Sequence, residues 1–261
     1  MDSNLKTREQ MELMRQAGLI VWEAHREAAK RIEPGVTTAE INEVVDSVIA
    51  RNGAIALFKG VPGAVPFPAA TCISINEEIV HGIPGPRKLR EGQIVSVDIG
   101  VRLDGWCADA ATTHAVGAIT PEAQKLLEIT EGTLRLAIRN IAPKKRWAQV
   151  ARVMERYVVN AGFHVIRDLA GHGIGRAMWE RPSVPNYASG NTNDFKLRPG
   201  MVLAVEPMVT TGTHEIRGMP DHWTYVTADG GLAAHFEHTI AITEHGPWVL
   251  TSGPDNQAWA L

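Results

Sequence analysis

The sequence predicts an α+β fold with a pseudo-twofold plan, a central antiparallel sheet covered by two pairs of helices. Three observations lead there. Four helices carry capping signals and fall into two pairs, each pair is followed by apolar strands, and the strands of each half carry acids: Asp98 and Asp109 in the first, Glu206 and Glu237 in the second. Little identity links the halves residue by residue, so the symmetry rests on element order. The chain reads as a single domain over 1–261, with halves at about 1–118 and 119–261.

Each helix is announced by its ends. Thr7 with Gln10 makes a capping-box pattern ahead of "MELMRQAGLIVWEAHREAAKRI", a helix expected to run up to Pro34-Gly35. Thr37 and Glu40 repeat the pattern before "INEVVDSVIARN", which Gly53 stops. Thr120, followed by Pro121 in its favoured first-turn place, starts a third helix to about Asn140; a fourth runs from about Trp147 to Asn160 and stops near Gly162. Strands are expected over 71–75, in a hairpin within 95–117, and over 163–166, 201–207, 223–227 and 235–243. Asp229-Gly230-Gly231 reads as a hairpin turn joining the last two. Segments 60–68 and 82–86 are rich in Pro and Gly, yet apolar residues interleave them, so they read as ordered loops.

Composition narrows the function. Hydrophobic residues make up 44%, charged residues 21%, and the formal net charge is -3, which is ordinary for a globular protein and leaves no electrostatic footprint for nucleic acid or a membrane surface. No apolar run approaches the roughly 18 residues of a membrane span. The N-terminus is polar and lacks the apolar core of a signal peptide. Cys72 and Cys107 are the only cysteines, so a disulfide framework is unsupported, a reducing compartment fits, and the cytoplasm is the expected location.

The stretch "VSVDIGVRLDGWCADAATTHAVG" carries Asp98 in one arm of an apolar hairpin and Asp109 in the other. An unpaired buried carboxylate costs several kcal/mol, so such a group is paired, protonated or bound to a metal. Asp104-Gly105 is a strong two-residue turn signal. That turn would place Leu103 opposite Trp106, Asp98 opposite Ala111 and Asp109 opposite Gly100. The two aspartates then become diagonal neighbours on one face, roughly 7–8 Å apart at Cα. The plain alternative is a pair of strand acids facing solvent. Against it, Val97, Ile99 and Val101 make the other face apolar, and the small Gly100, Cys107 and Ala111 leave room beside the acids.

Three more residues weigh toward a metal. His172 sits in "GHGIG", where flanking glycines leave an imidazole unshielded. Glu206 in "LAVEPM" and Glu237 in "AHFEHTI" are expected within apolar strands, where a lone glutamate is expensive. Two Asp, two Glu and one His form a hard, oxygen-rich set. Two divalent cations would neutralise four buried charges where a single zinc would not, and six-coordinate oxygen ligation leans to Mn, Fe or Co over Zn.

At these five residues the chain resembles the methionine aminopeptidase group of the pita-bread metallopeptidases. The resemblance covers nearly the whole chain and is carried by "CISINEEIVHGIPG", "VSVDIGVRLDGWCAD", "GHGIG", "LRPGMVLAVEPM" and "FEHT". The short interval from His172 to Glu206 is similar to that of the compact type I enzymes. The resemblance implies the pita-bread fold and two divalent metal ions. Asp98 would bind one, Asp109 and Glu237 would bridge both, and His172 and Glu206 would complete the second. It further implies that Glu206 takes a proton from the attacking water and that His81 meets the scissile amide nitrogen. Phe67, Cys72, Met208 and Trp223 match positions lining the substrate pocket.

The chain also departs from that pattern. Trp179 stands where a second histidine is usual, and losing one donor to a tetrahedral intermediate can cost on the order of 10²–10³ in rate. Met178 replaces an aromatic in the substrate-binding wall, Ala64 a tyrosine and Val61 a cysteine, while Gly100 and Ala110 stand where threonines are common. The activity implied is removal of N-terminal methionine before a small residue, by a monomer whose partner is the N-terminus of a peptide or nascent chain. Two alternatives remain: cleavage of X-Pro peptides, and a metal-binding paralogue with little turnover. Trp179 supports the second of these, whereas the complete ligand set and His81 oppose it.

Overall fold

Reciprocal caps set the starts of the first helices. In the computed structural model, which describes residues 5–188 and 194–257, Thr7 and Thr37 close capping boxes with Gln10 and Glu40 at the heads of α1 (Arg8–Ala29) and α2 (Thr38–Arg51). The Thr120 hydroxyl accepts the Ala123 N–H to open α3 (Pro121–Asn140). α4 (Trp147–Asn160) begins where Asp194, from a distant loop, accepts the Ala148 N–H at 3.0 Å. α1 stops short of the expected Ile32. The Arg31 and Ile32 N–H groups turn back to the Ala28 and Ala29 carbonyls, the tighter turn that often closes a helix.

Each helix pair buries its apolar stripe on its own strands. Val21 and Ala24 of α1, with Ile41 and Val45 of α2, pack on Ile73, Val97 and Ile99. Leu126 and Leu134 of α3, with Trp147 and Met154 of α4, pack on Leu203, Val205 and Ile240. At roughly 1.5–3 kcal/mol for each large side chain taken from water, these two layers carry the main driving force for folding.

The hairpin has the register the turn predicts. Strands Ile94–Leu103 and Trp106–Ala115 pair without a bulge, Asp98 opposite Ala111 and Gly100 opposite Asp109, around a turn in which Asp104 and Gly105 take φ of 48° and 78°. Strand Cys72–Ile75 joins the other edge of the first arm, Cys72 opposite Asp98. In the second half, strands Gly246–Val249, His238–Thr243, Val202–Val205, Gly171–Gly173 and Glu180–Val184 lie side by side in that order, all antiparallel.

The expected strands 201–207 and 235–243 are each interrupted. Val202–Val205 gives way to Met208–Thr210, and Ala233–His235 to His238–Thr243. Pairs on both sides of the gap (Val205 with His238, Met208 with His235) keep one register, so this is a single ladder opened at Glu206-Pro207 and Phe236-Glu237. Pro207 has no N–H to give. The Glu237 N–H is diverted to the Ala111 carbonyl of the hairpin at 2.8 Å. The two glutamates therefore sit at open rungs, not within strands.

Other expectations shift as well. A turn forms at 229–231, but Tyr225–Thr227 pairs with Ile216–Gly218 and Glu78–Val80 while Ala233–His235 pairs with Met208–Thr210, so there is no hairpin. Strand 163–166 shrinks to His164–Val165. The two halves join at the rungs already named. The Thr239 hydroxyl accepts the Asp109 N–H at 2.9 Å and donates to its carbonyl at 2.8 Å. Thr113 makes the same double bond to the backbone of His235. Among the described residues no helix is long and apolar enough to cross a membrane.

Candidate metal centre and cleft

All five candidate ligands project toward the join between the halves. Asp98 and Asp109 come from the hairpin, Glu206 and Glu237 from the open rungs, and His172 from the short strand Gly171–Gly173. The glycines beside His172 are needed for close packing: a Cβ on Gly171 would lie 2.3 Å from the Ala204 carbonyl oxygen, and one on Gly173 would lie 2.4 Å from that of Arg181. His172 donates from Nδ1 to the Gly173 carbonyl at 2.9 Å. Its Nε2 lone pair is thereby left to accept, 3.7 Å from Glu206 Oε1. One donor atom from each of Asp109, His172 and Glu237 lies within 4.8 Å of the others.

These groups are shut away from water and from partners. Asp98 is 8% exposed, Asp109 and Glu237 2%. Asp98 Oδ1, Asp109 Oδ1 and Glu237 Oε1 are buried without a hydrogen bond. Burial, and then the charge of Asp109 and Glu206, pushes the Asp98 and Glu237 carboxyls well above the usual range. Burial also lifts Asp109 and Glu206 to about 7, with Glu206 adding to the rise at Asp109 and His172 opposing the rise at Glu206. Orphaned carboxylate oxygens converging with one imidazole are the donor set of divalent cations, so the residues present fit such a group.

Two histidines flank the carboxylates. His81 has φ of 61° and turns into the cleft beside Gly82, where a Cβ would overlap the Ile73 carbonyl oxygen at 2.2 Å. Burial and then His235 hold His81 down to about 4, so it is neutral at pH 7. His235 was not singled out by the sequence reading. Its Nε2 is buried without a hydrogen bond, 3.6 Å from Glu206 Oε2 and 4.0 Å from Glu237 Oε2. The only signal for it was its place two residues before Glu237, and a lone histidine between Ala234 and Phe236 looks like core.

A cavity of about 530 Å³ borders His81, Asp98, His172, Trp179, Glu206 and Met208. Beside it lies a buried apolar cluster made by Phe58, Phe67, Ala69, Cys72 and Met178, with Val61 and Trp223 against them. Phe67 and Trp223 meet edge to face with centroids 5.3 Å apart, and Trp223 Nε1 donates to the Val65 carbonyl. The apolar cluster and the carboxylates adjoin at Gly100, where a Cβ would lie 3.4 Å from both Met178 Cε and Asp109 Oδ1. Met208 borders the cavity and packs with Ile79, Val80 and Ile166. Trp179 stands on the cavity rim, 55% exposed.

Comparison with known proteins agrees with this geometry. The sequence profile of metallopeptidase family M24 matches residues 12–244. Methionine aminopeptidase 1 of Bacillus subtilis is 44% identical over 94% of this chain and 98% of its own length, and the methionine aminopeptidase of Aquifex aeolicus is 41% identical over 95% and 98%. The crystal structure of methionine aminopeptidase from Thermotoga maritima superposes with a TM-score of 0.91 at 42% identity, covering 95% of this chain and 98% of that one. Prolidase from Pyrococcus furiosus, at 21% identity and a TM-score of 0.76, shares the fold. Matched along nearly its whole length in sequence and in backbone, the chain belongs to metallopeptidase family M24.

Proposed function

We propose that the protein is a metal-dependent aminopeptidase that removes N-terminal methionine when the next residue is small. The observation that carries this reading is the contact at Gly100 between an apolar side-chain cluster and buried carboxylates, three of which each keep one oxygen without a hydrogen bond. Phe67, Cys72, Met178 and Trp223 receive the thioether side chain, which places the following amide at the carboxylates. Asp98, Asp109, His172, Glu206 and Glu237 would hold two divalent ions, Mn, Fe or Co ahead of Zn, supplying Lewis acidity and an acidified water. Glu206 takes the proton that the attacking water gives up. His81, neutral at pH 7, stands beside the scissile nitrogen. The reading includes a cytoplasmic monomer acting on peptide or nascent-chain N-termini, and both cysteines are free and buried, as a reducing compartment allows.

The test is mass-spectrometric cleavage of peptides with Met-Ala, Met-Leu, Leu-Ala and Ala-Pro termini, using metal-stripped protein reloaded anaerobically with Mn, Fe or Co. Methionine should leave Met-Ala alone, and Glu206→Gln should cut the rate by about 10² or more. An unchanged rate in that variant would sink the reading. Trp179 favours one competitor, a metal-binding paralogue of low turnover, which uptake of metal without cleavage of any peptide would support.

A further inference from the structure

Met178 and Trp179 are consecutive but part company, Met178 packed in the buried apolar cluster and Trp179 on the rim of the cavity. A charged clamp holds the bend that carries them. Lys6 Nζ lies 2.5 Å from Glu180 Oε2, with both side chains largely buried. Glu180 Oε1 accepts the Ala177 N–H at 3.2 Å, and the Lys6 N–H donates to the Gly200 carbonyl at 2.7 Å. Only glycine fits at 175, where a Cβ would lie 2.4 Å from Lys6 Cε and 2.6 Å from Glu180 Oε1. On the far side of the bend, the Arg176 guanidinium stacks 4.0 Å over Trp106, and the Cys107 N–H donates to the Gly175 carbonyl at 2.8 Å. Breaking a buried ion pair strands the remaining charge, so this clamp resists displacement.

The cavity bordered by Trp179 excludes Phe67, Cys72 and Trp223 of the apolar cluster and includes the candidate ligands Asp98, His172 and Glu206. A peptide whose first side chain sat against the apolar cluster would leave past these ligands and across the indole. Among the described residues no aromatic ring or cation stacks on that indole, leaving a broad apolar face at the point of exit.

We propose that Trp179, positioned by the Lys6–Glu180 ion pair, is a specificity determinant that selects peptides with an aromatic side chain at the third position, the first beyond the confined second residue. The proposal rests on the aminopeptidase reading. Lys6 and Glu180 are positioning residues in it; Trp179 touches the peptide. An aromatic contact of this kind is worth on the order of threefold to tenfold.

The experiment compares kcat/KM for Met-Ala-Phe and Met-Ala-Ser in wild type, Trp179→Ala, Lys6→Met and Lys6→Arg, all metal-loaded. It also measures calorimetric Kd of the wild type and Trp179→Ala for uncleavable analogues in which the first peptide bond is reduced. The wild type should prefer Phe threefold to tenfold in both readouts. Trp179→Ala should bring the ratio to about one, and Lys6→Met should lower it while Lys6→Arg restores it. A clamp that served stability alone would lower Tm without moving the ratio. An equal preference in wild type, or one that survives Trp179→Ala, overturns the proposal. If no peptide is cleaved, the aminopeptidase reading fails by itself, and the calorimetric ratio still decides the role of Trp179.

Discussion

An indole carries one N–H on a wide ring, and Trp179 leaves that ring half exposed at the rim of the cavity that Asp98 and Glu206 also line. A donor aimed at a developing oxyanion is worth on the order of 10²–10³ in rate, so its position matters more than its presence. Trp179→His should therefore raise kcat on a Met-Ala peptide by about tenfold or more under saturating Mn. Steady-state assays settle it, and an unchanged kcat would show that tryptophan is not the limiting departure. The five ligands were legible in the sequence because each is an acid in apolar surroundings or a histidine set in glycines. His235 was not, because its partners Glu206 and Glu237 meet it only after the second ladder has opened.

At the level of strands the halves are joined by pairing of Glu78–Val80 with Tyr225–Thr227 and by hydroxyls that reach across to the backbone of the other half. The Thr239 hydroxyl satisfies both the N–H and the carbonyl of Asp109, and it does so from the opposite half. Thr239→Val keeps the volume but strands two buried backbone groups, so urea denaturation should show a loss of about 2–4 kcal/mol. Metal affinity should fall with it, since Asp109 loses its anchor; titration calorimetry with Mn would test that, and unchanged binding would separate the join from the ligand. The hairpin register was readable because period-two alternation and an Asp-Gly turn are local signals. The open rungs were not, because their causes lie in Pro207 and in a carbonyl, Ala111, contributed by the other half. The 229–231 turn misled for a similar reason. Its flanking strands find better partners elsewhere in the molecule.

The molecule as a whole stores neutral histidines beneath its first helical layer. His25 of α1 donates from Nε2 to the Ala110 carbonyl at 2.8 Å, and burial, then His114 and His235, hold it down to about 3. Burial holds His114 to about 4. In the unfolded chain both take a proton below about 6.5, whereas the native state refuses it, so their contribution is complete above pH 6.5 and is lost as pH falls toward 4. Each contributes up to about 1.4 kcal/mol per pH unit in that window. Urea midpoints of the metal-free protein should fall between pH 6.5 and 4.5 less steeply in His114→Gln than in wild type, and parallel curves would refute the assignment. The two-layer plan was visible from caps and periodicity, while the burial of particular histidines depends on how the layers meet. The ladder opened at Glu206 and Glu237 carries a further consequence, for how such a chain tolerates changes in length. Residues 211–232 form an excursion that leaves the ladder and returns to it in the same register, so insertions there need not disturb the acids. A single residue added within 202–205 would slide every later rung by one and turn Glu206 to the opposite face.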